Sequence, residues 1–125
     1  MKRVKKPRVP RTHAGGTMTK SAYFTFIRSA LRQKWLRYPP RYQVLAACSR
    51  RVEGKRHKVE HKCDMCNKWH KKADVEVDHI VACGSFTKFE DLGGFAERMF
   101  CEPDGLQVLC KPCHYLKTHG KEKAK

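Results

Sequence analysis

Four cysteines stand in two matched pairs, Cys63-Asp64-Met65-Cys66 and Cys110-Lys111-Pro112-Cys113. Each Cys-x-x-Cys turn aims two sulfurs at one point, and tetrahedral zinc takes four, so the pairs read as one zinc site. Four thiolates leave no open position for a substrate, so that zinc is expected to be structural. The competing reading of such a pair is a redox dithiol. His57, His61, His70 and His114 are the alternative ligands by proximity in sequence. Between the pairs lies Val77-Asp78-His79-Ile80, and the second pair runs directly into His114-Tyr115-Leu116-Lys117-Thr118-His119. A carboxylate, a strand imidazole and a helix imidazole make a chemical set that can bind a divalent ion and move a proton.

The elements around these residues are legible in outline. Residues 73–80 alternate enough for a strand, so Asp78 and His79 should point to opposite faces. Leu106–Leu109 reads as a second strand. Pro112 opens a last helix that runs to about His119 and closes at Gly120. His114 falls in the first turn of that helix, where the cysteine clamp fixes its position. Thr87 with Glu90 suggests a capping box for a helix near 88–100, weakened by Gly93-Gly94.

Upstream, Phe24, Ile27, Leu31 and Trp35 have helical spacing, with Thr19 or Ser21 as cap. Pro39-Pro40 stops that helix and starts another, marked by Tyr42, Leu45, Ala46 and Val52 and ending before Gly54. The two are expected to form an αα-hairpin. Arg28, Arg32, Arg37, Arg41, Arg50 and Arg51 would line its wet sides, either as plain surface or as a track for DNA. Residues 55–62 read as a basic loop. The expected organisation is a basic flexible arm at 1–19, the helical pair at 20–56, a zinc-stapled core at 57–120 and a basic tail at 121–125.

Composition narrows the partners. The chain has 125 residues with 28 Lys+Arg against 12 Asp+Glu, a net charge of +16. A surplus of this size favours a polyanion, with nucleic acid first and an anionic membrane surface or a merely solvated basic face as alternatives. A basic start without a following apolar run shows no signal peptide, and no stretch approaches a membrane span. A cytoplasmic location, in a bacterial host cell, is therefore expected, where thiols stay reduced and zinc is favoured over disulfides. Cys48, Cys83 and Cys101 are then expected to be small buried hydrophobes.

In their order, Cys-x-x-Cys, Val-Asp-His-Ile and Leu-Gln-Val-Leu-Cys-Lys-Pro-Cys-His-Tyr-Leu-Lys-Thr, the motifs resemble the HNH endonuclease family. The likeness is greatest to its small zinc-containing bacteriophage members and covers about residues 63–119. Tyr38-Pro39-Pro40-Arg41-Tyr42 resembles the same phage proteins. The resemblance implies an α+β fold: a ββα-metal (HNH, His-Me finger) core with a four-cysteine zinc, preceded by the helical pair. It implies a nuclease that nicks or cuts duplex DNA, leaving 5′-phosphate and 3′-hydroxyl ends. Asp78 and His114 would hold the catalytic ion (Mg2+, Mn2+ or Ni2+), His79 would be the general base, and Lys117 would meet a phosphate. Arg50 and Arg51 are further candidates for DNA contact. A phage replication or packaging protein could be a partner, and the active species a monomer or a homodimer. One position departs from the family: Gly105 stands where the middle asparagine of the motif belongs, leaving Asp104 or a water to brace the loop. The alternative function is a zinc-stabilised nucleic-acid-binding module without catalysis.

Overall fold

The computed structural model describes residues 7–120. The outer parts of the basic arm and the whole basic tail, residues 1–6 and 121–125, lie outside the described residues. The chain is mixed α+β, with four α-helices and two small antiparallel sheets among the described residues.

Helix α1 (Lys20–Trp35) starts where Thr19 accepts a hydrogen bond from the Ala22 N–H at 3.1 Å. Its apolar stripe packs on one cluster. Phe24 joins Phe86, Phe95 and Met99 in the buried centre, flanked by Tyr23, Ile27, Leu31 and Trp35. Helix α2 (Pro39–Ala47) opens on its two prolines and packs instead on the second sheet. The apolar faces of the two helices therefore serve different neighbours. In front of α1, residues 13–18 fold into a turn closed by a bridge between His13 and Met18, and the His13 ring lies 5.0 Å from that of Tyr23. This part of the arm packs against α1.

Three short strands make the first sheet: β1 (Ser49–Arg51), β2 (Val59–Lys62) and β3 (Trp69–Lys71), in that order. They correct two expectations. The second helix stops at Ala47 and leaves Val52 outside it, and the 55–62 loop is half strand. The reason is cross-strand pairing. Arg50 sits opposite Glu60, donates to it at 2.8 Å, and lays its guanidinium 4.2 Å from the centre of the Trp69 ring. Lys55 and His57 reach the same carboxylate at 3.0 and 2.9 Å. These contacts hold Glu60, although buried, ionised far below the usual carboxylate range, at about 2, against the opposing effect of burial. His61 is buried as well, and its Nδ1 donates to the Leu45 carbonyl at 2.9 Å, tying the sheet to α2.

The second sheet pairs β4 (Val75–His79) with β5 (Leu106–Cys110), and α4 (Lys111–His119) follows without a break and packs on both strands. Gly120 closes α4 in the left-handed region, φ 69°. Between β4 and β5 the chain runs through α3 (Leu92–Met99), whose Phe95 and Met99 complete the core. The expected capping box does not form. A 3-10 turn at Phe89–Asp91 precedes α3, so Glu90 lies inside that turn, and no side chain caps either start. Arginines hold this connection: Arg28 donates to the Phe86 carbonyl at 2.6 Å and Arg98 to that of Cys83 at 2.9 Å. Arg28 is thus engaged in the fold itself.

Candidate metal centres

The sulfurs of Cys63, Cys66, Cys110 and Cys113 all lie within 4.8 Å of one another, and those of Cys66 and Cys110 are 3.9 Å apart. Neighbouring thiolates around a tetrahedral ion at a metal–sulfur distance of about 2.3 Å are separated by about 3.8 Å, so the four are positioned to hold a metal ion such as zinc. Local backbone bonds build each half. Asn67, at φ 60°, closes the first turn by donating to the Cys63 carbonyl at 2.9 Å. Asp64 fastens that turn to β5 with two 2.8 Å bonds: its N–H donates to the Val108 carbonyl, and its carboxylate accepts the Val108 N–H. Pro112 sits in the first turn of α4 and sets the second pair. Burial pushes the Cys63 thiol up, but the N–H groups of Cys66, Cys110 and Met65 outweigh it and bring it down to about 7. Of the alternative ligands, His61 and His57 are engaged elsewhere, while His70 Nε2 stands 3.7 Å from the Cys66 sulfur, beside the cluster. Cys48, Cys83 and Cys101 are half-buried, less enclosed than expected.

The other candidate residues lie on the α4 side of β4. Alternation puts Glu76 and Asp78 on one face, under the first turns of α4. His114 lies between them, with Nδ1 2.5 Å from Glu76 Oε2 and Nε2 3.4 Å from Asp78 Oδ1. A carboxylate accepts, so Nδ1 carries a proton, and Nε2 faces Asp78. The other Asp78 oxygen accepts from Gln107 at 3.1 Å and from Lys117. Gln107 is the residue directly opposite Asp78 across the sheet. Lys117 also donates to the His79 carbonyl at 2.5 Å. Burial pushes the Asp78 carboxyl up, but the bonds from Lys117 and Gln107, with the positive charges of Lys117 and His114, hold it below its ordinary value. The aspartate is thus an anion with one oxygen tied down and one turned to His114.

His79 is not brought to this face. Its ring points to the other side of β4 and stacks on Trp35 of α1, with centroids 4.2 Å apart and planes at 33°. Its Nε2 lies 2.8 Å from the Met99 carbonyl. A cavity of about 410 Å³ opens beside it, lined by Arg32, Gln33, Trp35, Leu36 and Met99 among others. Carbonyl oxygens only accept, so Nε2 carries the proton and Nδ1 holds the lone pair. Among the described residues no group donates to that Nδ1.

Of the remaining candidates, Lys117 is paired with Asp78. Arg50 lies between Glu60 and Trp69. Arg51 is exposed. Glu76 and Gln107 are the residues that sequence reasoning missed. Glu76 could have been found as the acid two positions before Asp78, on the same strand face.

Gly105 explains itself by a close approach. A Cβ there would lie 2.8 Å from the Cys101 sulfur and 3.2 Å from its Cβ. The loop is braced by backbone: the Ile80 N–H donates to the Gly105 carbonyl at 2.9 Å. Neither Asp104 nor a water is needed for that bond.

Comparisons with protein-family models, with curated proteins and with solved structures gave no match.

Proposed function

We propose that this chain is a divalent-metal-dependent DNA endonuclease of the HNH type, built on a ββα unit of β4, β5 and α4 and stapled by a structural zinc at Cys63, Cys66, Cys110 and Cys113. One observation carries the reading. Asp78 Oδ1 and His114 Nε2 face each other at 3.4 Å, with His114 oriented from behind by Glu76. Adjacent octahedral ligands at about 2.1 Å stand about 3.0 Å apart, so a closure of a few tenths of an ångström would fit the pair to an ion, and a mixed carboxylate–imidazole pair suits Mg2+, Mn2+ or Ni2+. Such an ion would polarise the scissile phosphate and stabilise the leaving oxygen. The chain's own groups supply the rest. Glu76 fixes the tautomer of His114, Gln107 and Lys117 steady Asp78, and Nδ1 of His79 accepts the proton of the attacking water. The substrate strand would cross the end of β4 to meet both faces, drawn by a net charge of +16. Supercoiled plasmid with Mg2+ or Mn2+ tests the reading. The wild type is expected to nick, and His79→Ala to fall to background. Equal cleavage by both would remove His79 as the base.

A second reading is a zinc-stabilised DNA-binding module without catalysis. The placement of the His79 ring on the far face of β4 from Asp78 and His114 favours it. DNA binding without nicking across Mg2+, Mn2+ and Ni2+ would decide for it.

A further inference from the structure

His79 is held by residues that lie outside the ββα unit. Trp35 ends α1, and Tyr38 immediately precedes α2. Trp35 stacks on the His79 ring at 4.2 Å. Trp35 is itself held in place: the Arg41 guanidinium lies 5.3 Å from its ring centre and the Tyr38 ring lies 5.7 Å away. Arg41 is fixed in turn by donating to the Leu36 carbonyl at 2.6 Å. Tyr38 acts on the other contact of His79. Its hydroxyl lies 2.8 Å from the carbonyls of both Phe100 and Cys101, and its ring meets the Phe100 ring edge-on at 5.2 Å. Those residues directly follow Met99, whose carbonyl accepts from His79 Nε2. The same corner thus sets the plane of the imidazole and anchors the segment that carries its acceptor.

We infer that Trp35 and Tyr38 are positioning residues for His79: together they fix its ring plane and its Nε2–H tautomer, and leave Nδ1 as the acceptor. The tautomer part stands on geometry alone; the consequence for turnover rests on the nuclease reading above. A neutral imidazole free in water exchanges between two tautomers. One carbonyl acceptor at Nε2 selects one of them only while the ring and the carbonyl keep their mutual placement. Removing the stacking partner frees the ring to rotate, and removing the tyrosine hydroxyl frees the carbonyl segment to shift. A base displaced by an ångström or less loses rate while substrate binding is retained.

The test uses the full zinc-loaded chain at a pH where imidazoles are neutral. Nitrogen-15 NMR reads the tautomer of His79, identified by loss of its signals in His79→Gln. In the wild type a protonated Nε2 and an unprotonated Nδ1 are expected. Trp35→Leu and Tyr38→Phe should each give averaged, mixed-tautomer shifts, and Trp35→Phe should restore the wild-type pattern. In plasmid nicking the first two should lower kcat roughly tenfold or more with KM within about twofold. Should Trp35→Leu fail to fold, Tyr38→Phe, which removes only a hydroxyl, carries the test. Unchanged His79 nitrogen shifts in folded variants, or an Nδ1–H tautomer in the wild type, would overturn the inference. A wild type that nicks nothing would sink the nuclease reading, while the tautomer data would still decide the positioning role.

Discussion

His114 meets Glu76 through Nδ1 at 2.5 Å, which turns its other nitrogen toward Asp78. A carboxylate behind an imidazole fixes the tautomer and raises the basicity of the far nitrogen, and loss of such a partner typically costs ten- to a hundredfold in metal affinity. Glu76→Ala is therefore expected to weaken Mn2+ binding by roughly that factor in calorimetry. Zinc content should not change, because Glu76 is not one of the four clustered residues. Unchanged Mn2+ affinity would remove Glu76 from the site.

Lys117 presents its ammonium to the Asp78 carboxylate, where it would compete with a metal ion. Lys117→Met should tighten Mn2+ binding and let the Asp78 carboxyl rise toward its ordinary range. The same variant should weaken DNA binding and lower its salt dependence only if Lys117 leaves Asp78 to meet a phosphate. Weaker Mn2+ binding would mean that Lys117 supports the ligand geometry more than it competes for it.

Cysteine-cluster integrity should govern folding. Cys66→Ser, or a strong chelator, is expected to lower bound zinc from one ion per chain and to remove the cooperative thermal transition, since the cluster joins the 63–66 turn to β5 and α4. A variant that melts like the wild type without zinc would show that the protein core alone suffices.

Glu60 makes a prediction in acid. Its folded-state value of about 2 lies below the ordinary 4.5, so the ionised form favours the folded chain. That contribution is fully present above the ordinary value and is lost as pH falls from about 4.5 toward about 2. Glu60→Gln should be less stable than wild type at neutral pH, and the two chemical-denaturation curves should converge across that acid window. A constant gap would place the acid sensitivity elsewhere.

Gly105→Asn, which installs the residue that the HNH family carries there, should destabilise the chain by about 1–3 kcal/mol through overpacking against Cys101. Cys101→Ala in the same chain should recover part of the loss, because it removes the atom that a Cβ would meet at 2.8 Å. Additive effects in the double-mutant cycle would contradict that contact.

The second half of the chain was largely legible because its signals are local. Pro112 and Gly120 bracket α4, and the alternation around Val75 and Val77 marks β4. The first sheet was hidden. Its strands are three or four residues long and rich in charge, so they show no apolar period. What makes them strands is the meeting of Arg50, Glu60 and Trp69, which are far apart in sequence. The site was half legible for the same reason. Residue types pointed to Asp78, His79 and His114, but neither the service of Glu76 to His114 nor the stacking of His79 on Trp35 follows from spacing. Helical period marked Trp35 as core, and it does pack against the core while also touching the candidate base.

Cys113 and His114 are consecutive, so one helix turn carries a residue of the cysteine cluster and one of the proposed ion site. This leaves no slack in the chain length. A single residue inserted between them would keep every cysteine in place yet turn His114 and Lys117 by about 100° around α4, away from Glu76 and Asp78. A cluster that still fills with metal beside a site that can no longer assemble would be the signature of that one-residue slip.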